Sequence, residues 1–234
     1  MQKPAAEDFG GHTASPRFVS GATGARMLAV DPVRPALSAL DAAARVLRAG
    51  GLVAFPTETF YGLGANALDP EAVARVFRAK GRPADKPLLV LVGSVAMVSR
   101  VALVIPPLAG RLIARHWPGP LTLVLPARPE LPDALTAGTG TIGVRLPGHP
   151  IARALVQAAG VPLTAPSANP HGGPSPRAAG EVLAALGERV DVVLDGGPTT
   201  GGPPSTVLDV TRTPARLVRA GAVTLALEDL AEST

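Results

Sequence analysis

Polar and cationic side chains occur in three loops that follow apolar strands or helix ends of the predicted fold. Each loop holds two of them at alternate positions: Thr57 and Thr59, Lys80 and Arg82, and Ser167 and Asn169. Ligand sites in α/β proteins tend to form where loops leave the ends of strands. We therefore expect the three loops to contribute to a single site for an anionic small molecule.

Lys80 and Arg82 are the strongest anion-binding candidates. Arginine offers a planar fork of donors for a carboxylate or phosphate, and lysine offers a compact mobile charge. Only three of the 22 basic residues are lysines, and Lys80 and Lys86 fall within seven residues of each other. The alternative is a structural role, because cations at the end of a helix complement the helix dipole.

Ser167 and Asn169 also have a structural alternative. Serine and asparagine beside a proline, here Pro170, commonly form side-chain turns with their own backbone. Both interpretations, turn and ligand contact, stay open on these residues alone.

Several kinds of chemistry are excluded by the residues present. The absence of cysteine excludes disulfides, thiolate metal sites and a thiol nucleophile. No segment matches the glycine-rich nucleotide loops Gly-x-x-x-x-Gly-Lys-Ser/Thr or Gly-x-Gly-x-x-Gly, and no His-Glu-x-x-His, Gly-x-Ser-x-Gly or carboxylate-rich metal loop occurs. Any nucleotide must be held in another way, and no metal-binding residues are predicted.

The elements that position these loops alternate along the chain. Apolar spacings of three and four predict helices at 35–49, 69–79, 95–101, 107–116, 149–159 and 175–186. Short apolar runs predict strands at 52–55, 87–92, 121–125, 141–146, 162–165, 190–194, 205–210 and 216–219. This order predicts an α/β fold with a mixed sheet flanked by helices, and residues 56–64 are predicted to form a loop.

Composition sets the broad class. Apolar residues make up 47% of the chain, so the 26 glycines and 26 prolines punctuate a folded protein rather than a disordered one. We predict a disordered tail over residues 1–25 and one domain over 26–234. No apolar run is long enough to span a membrane and no secretory signal is recognised, so a cytoplasmic location is expected.

Five segments, taken together and in this order, resemble the YrdC-like threonylcarbamoyl-adenylate synthase family in its short, single-domain form. They are Gly50–Gly64, Lys80–Leu88, Pro166–Asn169, Ser205–Asp209 and Arg219–Gly221. The resemblance covers about residues 35–225. It implies a twisted α/β sheet around a positively charged concave groove.

The resemblance also implies a reaction. L-Threonine, bicarbonate and ATP would give threonylcarbamoyl-AMP and pyrophosphate, with Mg²⁺ held mainly by the phosphates and by water. Partner transferase proteins would then pass the threonylcarbamoyl group to tRNA.

Site residues follow from the matching motif positions. The resemblance implies that Lys80 and Arg82 act in catalysis. It implies ATP contacts from Lys80, Thr141, Ser167, Asn169, Ser175 and Arg219. It implies threonine contacts from Thr57, Arg145 and Ser205, with Arg145 pairing with the threonine carboxylate.

Some features leave alternatives open. Arg145 and Arg219 could instead form surface ion pairs. Leu91 stands where many family members have histidine. The net charge of +4 favours anionic partners, so a non-catalytic module that binds double-stranded RNA is the alternative function.

Overall fold

The computed structural model describes residues 18–20, 24–226 and 230. The α-helices are α1 (Leu37–Arg48), α2 (Pro70–Lys80), α3 (Pro107–His116), α4 (Asp133–Thr136), α5 (Pro150–Ala159) and α6 (Ala179–Leu186), and short 3-10 helices lie at Ala96–Arg100 and Gly187–Arg189. The strands are β1 (Phe18–Ser20), β2 (Arg26–Ala29), β3 (Val53–Pro56), β4 (Tyr61–Gly64), β5 (Val90–Leu91), β6 (Leu121–Pro126), β7 (Thr141–Arg145), β8 (Leu163–Thr164), β9 (Val192–Asp195), β10 (Thr206–Asp209) and β11 (Arg216–Arg219). Helices and strands alternate along much of the chain, which confirms the predicted α/β class.

The strands form two mixed sheets. One has the order β1-β2-β9-β3-β4, and the other has the order β11-β10-β6-β7-β5-β8. Parallel pairs, such as β10 with β6, and antiparallel pairs, such as β6 with β7, occur within the same sheet. The mixed character predicted from the sequence is confirmed, although the strands divide between two sheets rather than one.

The two sheets meet at their edge strands. The hydroxyl of Thr164 in β8 donates to the carbonyl of Leu63 in β4 and accepts from the amide of Ala65, both at 3.0 Å. Isolated bridges join Gly62 to Ser167 and Asn66 to Leu163 across the same seam. The backbone groups that these edges would otherwise leave unpaired therefore bond to each other.

Helix α2 shows how the sequence sets the position of a site residue. The Asp69 carboxylate accepts hydrogen bonds from the amides of Glu71 and Ala72 at 2.9 and 3.3 Å, and Pro70 is the first helical residue. At the other end, Gly81 adopts a left-handed conformation with φ of 58°, which glycine tolerates without strain. Asp69 and Pro70 therefore mark the start of α2, and Gly81 ends the helix after Lys80.

Several elements differ from the sequence expectation. Residues 61–64 form strand β4 instead of loop, because they pair with β3 as a hairpin. Helix α6 begins at Ala179 rather than at Ser175, because the Pro176 carbonyl accepts a hydrogen bond from the Tyr61 amide. Strand β2 and helix α4 were not predicted.

Part of the predicted tail is described. Phe18–Ser20 is a strand that pairs with residues 26–28 of β2. Residues 1–17 and 21–23 lie outside the described residues, as do 227–229 and 231–234. The boundary of the domain stays a prediction.

We expect Asp69→Ala to lower the free energy of unfolding by about 1 kcal/mol, because two amides at the start of α2 lose their acceptor. Chemical denaturation measures the change. Asp41→Ala, at an exposed position within α1, is the control and should leave stability unchanged or slightly raised. Equal effects of the two substitutions would contradict the capping role.

Candidate functional site

A cavity of about 820 Å³ lies against one face of the six-stranded sheet. Alternate residues of a strand point to the same face, and the cavity is lined by such alternate residues. They are Thr122 and Val124 of β6, Thr141, Gly143 and Arg145 of β7, Val207 and Asp209 of β10, and Arg216 and Val218 of β11. The cavity is also lined by polar residues outside these strands, including Thr57, Thr59, Lys80, Arg82, Ser167, Asn169, Ser175 and Ser205, and by Arg219 of β11.

The structure brings all of the candidate site residues to this one cavity. Its lining includes Thr57, Lys80, Arg82, Thr141, Arg145, Ser167, Asn169, Ser175, Ser205 and Arg219. The most distant of them, Thr57 and Arg219, are 162 positions apart in the chain.

Lys80 is buried, with 3% of its surface exposed. Its ammonium donates to the carbonyl of Asn169 at 2.5 Å and to the carbonyl of Ser167. The ammonium therefore contacts the 167–169 loop rather than the end of its own helix, so the helix-capping alternative does not describe it. Since an ammonium has three N–H donors, one remains for a ligand in the cavity.

Burial shifts the ionisation of this lysine. Desolvation, followed by the nearby charge of Arg82, lowers the pKa of Lys80 from 10.5 to about 8. Lys80 is thus mostly cationic at neutral pH and loses its charge at mildly alkaline pH.

Arg82 is held by the loop that follows α2. Its Nε donates to the Lys86 carbonyl at 3.1 Å, and one of its terminal nitrogens donates to the Pro87 carbonyl at 2.9 Å. Burial lowers the pKa of Arg82, partly opposed by the charge of Asp85. Lys86 is exposed and contacts His171 at 3.2 Å.

Asn169 shapes the loop that faces Lys80. Its side-chain amide donates to the carbonyls of Pro170 and Gly173 at 2.8 and 2.7 Å, so the structural role expected of an asparagine beside a proline is present. Its buried Oδ1 has no hydrogen-bond partner among the described residues. Asn169 therefore combines a structural contact with a free acceptor, while Ser167 and Ser175 line the same side of the cavity.

Arg145 ends β7 and is buried, with 6% of its surface exposed. Its Nε donates to the Gly119 carbonyl at 2.9 Å, and its Nη2 lies 2.5 Å from Oε2 of Glu58. The second contact is an ion pair and not a hydrogen bond, because no N–H of Arg145 Nη2 is directed at the Glu58 oxygen. The surface-ion-pair alternative is wrong for Arg145 because this pair is largely buried.

Glu58 completes the pair from the turn between β3 and β4. Its Oε1 accepts a hydrogen bond from the Gly148 amide at 2.6 Å. Burial raises the pKa of Glu58, but the charge of Arg145 and hydrogen bonds outweigh it and leave the pKa below its ordinary value. The carboxylate is therefore ionised at neutral pH.

Ser205 and Arg219 meet beside Arg145. Arg219 donates to the Ser205 carbonyl at 2.9 and 3.1 Å and to its hydroxyl at 3.0 Å, and that hydroxyl also bonds Thr122 at 2.9 Å. Desolvation and the charge of Arg145 lower the pKa of Arg219. No ion pair of Arg219 is found among the described residues.

Thr57 and Thr141 both line the cavity, and their hydroxyls bond neighbouring groups. The Thr57 hydroxyl donates to the Phe60 carbonyl at 2.7 Å, which fixes the turn between β3 and β4. The Thr141 hydroxyl bonds that of Thr139 at 2.9 Å. The Thr141 hydroxyl keeps capacity for a further hydrogen bond, whereas that of Thr57 also accepts from the amides of Thr59 and Phe60 at 3.4 Å.

Glu58 and Thr122 were missed from the sequence. Glu58 lies inside the motif at 56–64, but nothing in its spacing links it to Arg145, which is 87 positions further along. Thr122 lies within an apolar run that predicts a strand, so its type and position did not indicate a polar contact. Both contacts depend on the way the strands are brought together in the fold.

Two absences concern the described part of the chain. Within it, no group of three or more histidine, aspartate or glutamate side chains could hold a metal ion. None of its helices is both long and apolar enough to cross a membrane.

The sequence of this chain is similar to that of known proteins. Residues 45–221 match the family model for Sua5, YciO and YrdC, described as "Telomere recombination". The chain is 49% identical over 183 residues to the threonylcarbamoyl-AMP synthase of Pyrococcus abyssi, an alignment that covers 78% of this chain and 54% of that protein. Identity to the threonylcarbamoyl-AMP synthase of Bacillus subtilis is 45%, over 78% of this chain and 53% of that protein.

A solved structure shares the fold. The crystal structure of P. abyssi Sua5 complexed with L-threonine superposes with a TM-score of 0.80 at 46% identity, covering 83% of this chain and 57% of that one. The chain spans about half the length of the curated relatives it matches first. The family model covers most of the chain, and the identities to these relatives are high. The resemblance drawn from the ordered motifs is therefore confirmed, and the chain belongs to the Sua5/YciO/YrdC family.

Proposed function

We propose that this chain is an L-threonylcarbamoyladenylate synthase, which converts L-threonine, bicarbonate and ATP into threonylcarbamoyl-AMP and pyrophosphate. The observation that carries the proposal is that all of the candidate ATP and threonine contacts line one cavity. The names of the relatives and the L-threonine in the P. abyssi structure support it.

The cavity would be shared between two substrates. Threonine would lie between Thr57, Arg145 and Ser205, with its carboxylate on the guanidinium of Arg145. ATP would lie along Lys80, Thr141, Ser167, Ser175 and Arg219, with Asn169 in the same loop. The two ends adjoin, since Arg219 bonds Ser205.

The chemistry requires no nucleophile from the protein. Bicarbonate takes up a proton and loses water to give carbon dioxide, and the neutral amine of threonine captures it as a carbamate and releases a proton. A carbamate oxygen then attacks the α-phosphorus of ATP while pyrophosphate leaves. The protein must hold two anions close together and stabilise the charge that develops on the phosphate oxygens.

Lys80 and Arg82 are the proposed catalytic residues. Two of the three N–H groups of Lys80 donate to the carbonyls of Ser167 and Asn169. These two hydrogen bonds fix the direction of the third N–H. A preorganised donor in a partly desolvated site stabilises a transition state more than a flexible one in water. Arg82 would add a second charge from the loop after α2.

Mg²⁺ enters the proposal only as the ion that accompanies ATP. Among the described residues, the acidic residue that lines the cavity is Asp209. Its carboxylate already contacts Thr211 and Arg212. These residues do not form a metal site of their own, and we assign no step to a bound metal.

The product would be consumed by another protein. A mixed carbamic–phosphoric anhydride is a reactive carrier, and we propose that transferase proteins pass its threonylcarbamoyl group to tRNA in the cytoplasm. The alternative function, a non-catalytic module that binds double-stranded RNA, is less well supported, because the relatives named above are synthases.

We expect the purified protein to release pyrophosphate from ATP only when L-threonine and bicarbonate are both present. Release of labelled pyrophosphate measures this. Release without threonine, or tight salt-dependent RNA binding with no affinity for ATP, would contradict the synthase.

We expect Lys80→Met to lower kcat by at least about 100-fold, the range seen when a preorganised donor is removed. Lys86→Met, which removes an exposed lysine from the next loop, is the matched control and should keep most activity. Circular dichroism would verify that both variants fold. Comparable activity in the two variants would refute the assignment.

We expect kcat/KM for ATP to fall as pH rises through about 8, because Lys80 then loses its charge. NMR of ¹³C-labelled lysine tests the titration directly, since the chain has only three lysines and Lys80→Met identifies the signal. A midpoint near the ordinary lysine value of about 10.4 would rule out the shift.

We expect Arg145→Lys to raise the KM for threonine about tenfold or more while the KM for ATP changes little. Lysine keeps the charge but loses the planar fork that matches a carboxylate. Steady-state kinetics with each substrate varied in turn would separate the two effects. A rise confined to the KM for ATP would reverse the proposed division of the cavity.

A further inference from the structure

The cations of the cavity differ in what neutralises them. Lys80, Arg82 and Arg219 donate to neutral oxygens, namely backbone carbonyls and the Ser205 hydroxyl. No carboxylate of the described residues lies within ion-pair distance of any of these three. Their positive charge is therefore available to a ligand.

Arg145 is the exception among the proposed substrate-binding cations. Glu58 lies 2.5 Å from its Nη2, and both side chains are largely buried, with 7% and 24% exposed for Arg145 and Glu58. Two opposite charges so close, in a region that water screens weakly, nearly cancel each other for a third charge a few ångströms away. The pair formed by Arg145 and Glu58 is thus close to neutral, whereas Arg219 beside it has no such partner among the described residues.

Glu58 is held in place independently of Arg145. The Gly148 amide donates to its other oxygen at 2.6 Å, and the Thr200 hydroxyl donates to its backbone carbonyl at 2.8 Å. Glu58 does not line the main cavity; it lies against a smaller one with Thr57 and His149. Its carboxylate therefore acts on the main cavity through Arg145.

We propose that Glu58 determines specificity by neutralising Arg145, so that phosphate groups are excluded from this end of the cavity while a singly charged carboxylate is accepted. A phosphate carries nearly two negative charges and gains most from an unbalanced cation. A zwitterionic amino acid has no net charge and depends instead on the directed donors of Arg145. Discrimination of this kind arises from repelling the wrong ligand as well as binding the right one.

Arg219 makes such a device necessary. It contacts Ser205 and lies close enough to Arg145 for the charge of Arg145 to lower the pKa of Arg219. Without Glu58, Arg145 and Arg219 would form a continuous cationic patch with Lys80 and Arg82. The triphosphate, or the pyrophosphate product, would then compete with threonine.

The test measures binding of inorganic phosphate by isothermal titration calorimetry. Glu58→Gln removes the charge while its amide oxygen can still accept from Gly148. Glu130→Gln is the matched control, because it makes the same change in net charge at an exposed ion pair with Arg128. We expect phosphate to bind Glu58→Gln at least about tenfold more tightly than the control, and the gain to vanish in the double variant Glu58→Gln/Arg145→Gln.

Two further arms separate charge from geometry and from folding. Glu58→Asp keeps the charge on a shorter side chain and should keep phosphate affinity close to that of the unaltered protein. In the unaltered protein, threonine should not displace phosphate, because phosphate is held by Lys80, Arg82 and Arg219 rather than by Arg145. This second measurement needs no variant, so displacement would overturn the proposal even if Glu58→Gln folds poorly.

The inference rests on the proposed function only in placing threonine at Arg145. Equal phosphate affinity in Glu58→Gln and Glu130→Gln, an equal gain in Glu58→Asp, or displacement of phosphate by threonine would overturn it. If threonine fails to bind at all, the proposed function fails, and the phosphate comparison still decides the role of Glu58.

Discussion

A buried ammonium group must be given hydrogen-bond acceptors, and much of the site depends on how this is done for Lys80. An unpaired charge in such a place would cost several kcal/mol or would lose its proton. The carbonyls of Ser167 and Asn169 supply the acceptors, so the end of α2 is tied to the loop that follows β8. The amide of Asn169 then fixes the rest of that loop through Pro170 and Gly173.

The same principle divides the cavity by charge. Carbonyl oxygens solvate a cation without cancelling its charge, whereas a carboxylate both solvates and cancels it. Lys80, Arg82 and Arg219 have the first kind of partner, and Arg145 has the second. In the proposed function, this difference would let ATP and threonine be held side by side in one cavity, with the phosphates at the cations that no carboxylate balances.

The long amphipathic helices could be predicted from sequence because their signals are local. The bounds of α1, α2, α3 and α5 agree with the predicted ranges to within two residues, and Asp69, Pro70 and Gly81 mark the ends of α2. The short elements could not. Ser175 and Pro176 resemble a helix start, but the Pro176 carbonyl bonds the Tyr61 amide of β4, a contact between segments more than 100 residues apart.

The candidate site likewise contains residues that local sequence patterns identify and residues that depend on long-range contacts. The family motifs named the residues that line the cavity, whereas the residue types and their positions alone indicated only that the loops at 57–59, 80–82 and 167–169 share a site. No local pattern indicates that Glu58 meets Arg145, because the contact joins a hairpin turn to the end of a strand in the other sheet. Residues whose function lies in a long-range pairing carry no signal in a single sequence.

The seam between β4 and β8 has a consequence for how the cavity can vary. Thr57 and Glu58 belong to one sheet's hairpin, whereas Arg145 and Ser205 adjoin strands of the other, so the groups proposed to contact threonine are fixed to separate frameworks. The width of the cavity at that end is therefore set by the angle at which two edge strands meet. A substitution in the packed interior near Leu63 or Leu163, remote from any ligand contact, would change that angle and with it the size of the amino acid that fits.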